Sequence, residues 1–284
     1  MTDQDGLDAA ADDPPGERVL STWGSGAACS DATLADGVVL KTSGPWAGAV
    51  IALLRHLEAV GFSGAPRVVG DGFAADGRMT LSYVPGESPH PHAWGDEQVG
   101  RVGELLRRLH DATATFSPPD SAAWKPTWLR DLPGDEWLIG HCDTAPWNIV
   151  GGDGSPEAFV DWEYAGPVDR TTELAYTAWL NAQLHDDDVA ELQGLPDART
   201  RARHLHSLLD GYGLPVGRRR EVVDRMIELA VHSARAEAAM ARVTPDSADA
   251  IGPDGYPVLW AITWRARSAS WMIRHRALLV GASS

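Results

Sequence analysis

Lysine is almost missing from this chain. Of its 24 basic residues only Lys41 and Lys125 are lysines, the rest being arginine. Cysteine is nearly as scarce, with Cys29 and Cys142 alone, which excludes a disulfide framework and fits a reducing compartment. No apolar run approaches the roughly 20 residues needed to cross a bilayer, so no membrane partner is expected. Positive charge is in deficit: the net charge of −16 excludes the basic face that a nucleic-acid backbone demands. A Walker A sequence is absent too, and with it a P-loop nucleotide site. The acidic opening, MTDQDGLDAAADDPPGE, lacks a positive-then-apolar signal layout. It predicts a disordered leader over 1–16 on a cytoplasmic protein.

What is present concentrates between Trp137 and Asp169. Two apolar runs of strand type, Trp137-Leu138-Ile139 and Ala158-Phe159-Val160, bracket a polar loop carrying His141, Asp143 and Asn148, and the second delivers Asp161. An alcohol attacking a phosphoryl group needs a carboxylate to orient it and take its proton, with oxygen ligands holding Mg²⁺ against nucleotide phosphates. Asp143 and Asn148 match the kinase catalytic-loop spacing D-x-x-x-x-N, and Asp161 stands where a second metal carboxylate belongs.

At these residues, HCDTAPWN followed by VDWEYAGPVDRTTELAY, the chain resembles the aminoglycoside phosphotransferase family, a branch of the kinase fold. The resemblance spans roughly 20–180, with Glu173-Leu174-Ala175 in place of the family's D-L-A. It implies an α+β, two-lobed kinase-like fold: an N-terminal lobe over 17–84 with a small antiparallel sheet and one helix, a hinge over 85–95, and a mainly helical lobe over 96–284. It further implies an ATP-dependent enzyme, with GTP as the alternative nucleotide, that needs Mg²⁺ and phosphorylates a hydroxyl. Asp143 would be the base, His141 a brace for its loop, and Asn148 and Asp161 the metal ligands.

The nucleotide side is expected in the N-terminal third. Asp36-Gly37 predicts a hairpin, returning in Val38-Val39-Leu40-Lys41. Lys41, kept by a chain that otherwise prefers arginine, occupies the position of the kinase strand lysine that pairs with phosphates. Gly24, Ser25 and Gly26, one hairpin earlier, could bring backbone amides near phosphate. Backbone groups of Ser82 and Val84 would meet the adenine edge at the hinge. One departure stands out: on the following helix Val50 occupies the place of the glutamate that pairs with the strand lysine in kinases.

Acceptor selection is expected beyond Asp161, where helices follow at about 170–184, 197–211, 218–243 and 256–280. Glu163, Asp169, Glu173, Asp186 and Asp187 would form an acidic wall, and Trp147 and Trp162 a flat rim, for a cationic small molecule. The implied acceptor is an antibiotic, either an aminoglycoside or a basic cyclic peptide of the capreomycin and viomycin kind. Other readings are a metabolite kinase for choline, homoserine or a sugar, and a nucleotide-binding pseudokinase. A metal hydrolase built on His141, Cys142 and Asp143 fails because three consecutive loop residues rarely converge on one ion.

Overall fold

The computed structural model describes residues 18–19, 32–251 and 257–281. The expected leader over 1–16 and the Gly24, Ser25 and Gly26 turn lie outside them.

Five strands form the first layer: β1 (Arg18–Val19), β2 (Ala32–Ala35), β3 (Val38–Lys41), β4 (Val68–Phe73) and β5 (Met79–Ser82), in the order β1-β2-β3-β5-β4, with every pair antiparallel. The β2–β3 hairpin turns at Asp36 and Gly37, whose φ angles are 49° and 80°. Two positive φ angles define the tight turn that matches strand twist, and the Asp-Gly pair tolerates both. Helix α1 (Ala47–Ala59) crosses the sheet and buries Val50, Leu53, Leu54 and Leu57 on one face, the spacing of three and four that a helix stripe requires.

From the sheet the chain passes to the helical lobe along a segment tied to the catalytic region. Glu87 pairs with Gly151 through backbone bonds of 3.0 and 3.3 Å, and Ser88 Oγ donates to the Pro146 carbonyl at 2.7 Å. Helix α2 (Gln98–Thr113) buries Val99, Val102, Leu105, Leu106 and Leu109. Short strand pairs and turns carry His141, Asp143, Asn148 and Asp161. β6 (Trp137–Gly140) pairs with β9 (Gly166–Asp169), and β7 (Ile149–Val150) with β8 (Ala158–Phe159). The two runs bracketing the polar loop therefore pair with other strands, not with each other.

Helices α3 (Arg170–Asn181), α4 (Asp187–Leu192), α5 (Ala198–Tyr212), α6 (Arg219–Met240), α7 (Val258–Arg274) and α8 (Arg276–Val280) complete the lobe. α3 is its centre, buried from Thr171 to Asn181. Its start is fixed by Asp169, whose carboxylate accepts from the Thr172 amide at 2.9 Å. α5 starts the same way on Asp197. α2 and α5 cross closely at a glycine: a methyl group on Gly103 would lie 2.0 Å from the Leu208 carbonyl oxygen. Among the described residues no helix is long and apolar enough to cross a membrane.

Candidate active site

The loop after β6 is held in shape before its carboxylate is considered. His141 is fully buried, and its ring satisfies both neighbours: Nδ1 accepts from the Asp143 amide at 3.2 Å and Nε2 donates to the Val160 carbonyl at 2.9 Å. This bonding requires a neutral imidazole, and burial lowers its pKa to about 4. Thr144 shares a 2.5 Å hydrogen bond with Thr177 on α3, and Asn181 donates to the Thr144 carbonyl at 2.9 Å. A turn of 3₁₀ helix over Pro146–Asn148, with proline in its first turn, then closes the loop.

Within this frame Asp143 is held through both oxygens. Asn148 Nδ2 donates to Oδ2 at 2.7 Å, and Tyr176 of α3 donates its hydroxyl to Oδ1 at 3.0 Å. Burial first, then the charge of Asp161, raise the Asp143 pKa to about 7, against the lowering effect of those two bonds. A carboxylate poised there is suited to take a proton near neutral pH.

Asp161 follows β8 with φ at 63°, the left-handed region that an aspartate enters at a cost. This turn points its carboxylate at Lys41, the last residue of β3, to whose Nζ it is hydrogen-bonded. Glu163, in the next turn, lies 3.7 Å from the same ammonium through Oε2. Its other oxygen, Oε1, accepts from Lys125. Asp143, Asn148, Asp161 and Lys41 thus gather from two lobes into one cleft. Asn148 and Asp161 offer the hard oxygen donors that suit Mg²⁺. Among the described residues no three His, Cys, Asp or Glu side chains are grouped so as to hold a metal ion.

The acids expected to form an acceptor wall have partners within the chain. Glu173 is fully buried: it accepts from His110 at 2.8 Å and from the Cys142 amide at 2.6 Å. Burial opposes its ionisation, but the bonds from His110 and Cys142 outweigh that and lower its pKa. Asp169 is consumed as the α3 cap and by the Glu136 amide at 3.1 Å. Asp186 binds Arg267 at 3.1 Å and Arg274 at 2.7 Å, while Asp187 binds Arg201 at 3.3 Å and Trp271 at 2.6 Å. These two tie α7 to the α3–α4 junction, with Asp187 remaining exposed. Trp162 is buried with its ring against His141, and the half-buried Trp147 packs edge-on to His90. Glu163 contacts Lys41 and Lys125. At the hinge the Ser82 amide is committed to the Arg67 carbonyl at 2.8 Å and cannot donate to adenine; Val84 lies half-buried just beyond β5. The Cys142 thiol is buried and directed at the Gly166 carbonyl, 3.6 Å away, and its pKa is raised by burial, so no thiolate is available there.

Three contributors are not among the expected site residues. Tyr176 carries no signal beyond its place one helical turn after Glu173. Arg130 donates to the carbonyls of Tyr164 at 2.6 Å, Ala165 at 3.1 Å and Pro167 at 3.0 Å, a role invisible without the fold. Lys125 did carry a signal, since the rarity of lysine marks it as much as Lys41.

Residues 120–206 match the family model described as the phosphotransferase enzyme family. The chain is 52% identical over 246 residues to the trifolitoxin immunity protein of Rhizobium leguminosarum bv. trifolii, covering 87% of this chain and 92% of that protein. Among solved structures it resembles an amicoumacin kinase in complex with AMP-PNP, Ca²⁺ and Ami (TM-score 0.60, 12% identity, 91% of this chain and 89% of that one). It also resembles a choline/ethanolamine kinase family protein from Mesorhizobium loti (TM-score 0.55, 16% identity, 88% and 89%). At such identities these two speak for the fold alone.

Proposed function

The chain belongs to the phosphotransferase enzyme family, and from that premise we propose that it is an ATP- and Mg²⁺-dependent kinase that inactivates an antibiotic or toxin by phosphorylating one of its hydroxyl groups. The observation that carries the chemistry is Asp143, a half-buried carboxylate with its pKa raised to about 7, bonded to Asn148 and set near the Asp161–Lys41 pair. The observation that favours a toxin over a metabolite as acceptor is the 52% identity to a trifolitoxin immunity protein across nearly the whole chain.

In this reading the acceptor hydroxyl donates to Asp143 Oδ1, the atom that Tyr176 now bonds, and gives up its proton there as its oxygen attacks phosphorus. Asn148 fixes the other oxygen and so the direction of the carboxylate. Lys41 neutralises phosphate charge. Mg²⁺, held by Asn148 and Asp161 when the nucleotide is bound, would supply further charge neutralisation on the phosphates. The acceptor is defined here by its hydroxyl. Of the acids expected to recognise a polycation, Glu173 is buried on His110, and Asp186 and the exposed Asp187 pair with arginines.

The test is transfer from radiolabelled ATP to trifolitoxin and to a panel of hydroxyl-bearing antibiotics, with choline and homoserine alongside. Labelling of a toxin or antibiotic, lost in Asp143→Ala, is the expected result. Labelling of choline or homoserine alone overturns the choice of acceptor.

A further inference from the structure

We propose, resting on the kinase reading, that Glu163 and Lys125 together position Lys41 for the nucleotide phosphates and so replace the helix glutamate that this chain lacks.

The missing glutamate is not restored by folding. Val50 is fully buried among Leu53, Leu54 and Leu57, and the one acid on α1, Glu58, is exposed and sits 3.8 Å from Arg67. No carboxylate of that helix approaches Lys41. Among the described residues the carboxylate that does, besides Asp161, is Glu163. It offers one oxygen to each of the two lysines of the chain, Oε2 to Lys41 at 3.7 Å and Oε1 to Lys125.

Lys125 is held as a built part of the cleft. Its ammonium lies 4.1 Å from the Tyr164 ring centre and 5.1 Å from that of Trp46, the residue that opens α1. Trp46 belongs to the sheet lobe and Tyr164 to the helical lobe, so the cation spans the boundary between them. Arg130 fixes both sides of the contact from behind, donating to the carbonyls of Lys125 and Tyr164.

Charge explains the need for Lys125, and anchoring of Lys41 the need for Glu163. Lys41 between two carboxylates leaves one negative charge in excess where a polyanionic phosphate must arrive. Lys125 offsets it, and the side chains of Lys41, Lys125, Asp161 and Glu163 are only 7, 23, 22 and 14% exposed. In such a setting an unbalanced charge acts strongly. Glu163 also gives Lys41 an anchor other than Asp161. Without it the ammonium rests on the carboxylate that the metal requires.

The test measures affinity for a non-hydrolysable ATP analogue by calorimetry on the full chain, alongside KM for nucleotide and acceptor. Glu163→Gln and Lys125→Met should each weaken nucleotide binding by about tenfold or more, the effect of losing one charge-assisted bond, with acceptor KM unchanged. Lys125→Arg should recover most of the loss, because it restores the cation. In a Lys41→Met background Glu163→Gln should cost nothing further, since its effect travels through Lys41. Nucleotide affinity within about twofold of wild type in both Glu163→Gln and Lys125→Met overturns the positioning role. A rise in acceptor KM alone overturns it equally and assigns Glu163 to the acceptor. A wild-type chain that binds no nucleotide overturns the kinase reading itself, an outcome distinct from the other two.

Discussion

The hydroxyl of Tyr176 donates to Oδ1 of Asp143 at 3.0 Å, so the carboxylate that would take the acceptor's proton is already bonded to a phenol of the same lobe. The bond lowers the Asp143 pKa against the pull of burial, which brings it to about 7. Removing it in Tyr176→Phe should therefore raise that pKa. A base works only when deprotonated, so the acid limb of the pH–rate profile should move to higher pH, with rates falling more at about pH 6.5 than at about pH 8.5. An unchanged limb would show that Tyr176 only packs. Asp143→Ala should lower transfer by ~10²–10⁴-fold while nucleotide affinity holds, the range for a lost general base.

Glu173 and His110 make a different argument. Both are fully buried and bonded at 2.8 Å, and Glu173 also receives the Cys142 amide inside the catalytic loop. Glu173→Leu should destabilise the fold by ~3–5 kcal/mol, because removing one member strands the other's polar groups. Glu173→Gln, whose single amide oxygen can still accept from the Cys142 amide while its NH2 donates to the other tautomer of His110, should cost clearly less in denaturant unfolding. Equal losses would point to shape, not charge, as what the site requires.

Asp186→Asn separates the two roles considered for that residue. As an acceptor contact it would raise acceptor KM. As an anchor for Arg267 and Arg274 of α7 it should lower stability and leave acceptor KM where it was, which is the expected outcome. Steady-state kinetics beside a melting curve decides.

The line between what the sequence disclosed and what it hid follows local against non-local causes. The Asp36-Gly37 hairpin, the apolar stripes of α1 and α2, and the Asp143–Asn148 spacing are encoded within a few residues of each other, and a reader of the chain can find them. The fate of Asp186 depends on Arg267, 81 residues away, and that of Glu173 on His110, 63 away. Nothing local distinguishes an acid facing a cleft from one facing an arginine, so an acidic wall was expected where the fold has internal pairs. Lys125 is the instructive case. Its rarity was visible, but its meaning depended on Glu163 and Trp46, which only the fold brings beside it.

Gly103 tests how tightly the helical lobe is packed. Its α-carbon faces the backbone of α5, and an added methyl would meet the Leu208 carbonyl at 2.0 Å and the Tyr212 amide at 2.8 Å. Backbone on both sides cannot rotate away as a side chain could. Alanine usually favours a helix over glycine by ~1 kcal/mol, but here overpacking should win, with a net loss of ~1–3 kcal/mol in chemical denaturation. The same change at Gly48, on α1 with open space around it, should stabilise instead and serves as the control.

His185 gives the fold a pH-dependent weakness outside the cleft. It is buried beside Trp264, and burial, aided by the charge of Arg201 and by His90, lowers its pKa from 6.5 to about 3. The native state therefore holds it neutral, whereas the unfolded chain protonates it as pH falls through about 6.5. Its contribution is complete above that value and drains away on descending from it, since the unfolded state then binds the extra proton. Between about pH 7.5 and pH 5.5 the loss should be ~1.4 kcal/mol from this residue alone. His141, with its pKa lowered to about 4, acts in the same direction, and Asp143, with its pKa raised, in the opposite one, so the wild-type slope mixes all three. Comparing wild type with His185→Gln isolates its share: the variant should lose ~1.4 kcal/mol less over that interval in denaturant titrations. Parallel losses would mean that water reaches His185 where α3 and α7 meet, and that the packing of Trp264 on Trp179 does not seal that seam.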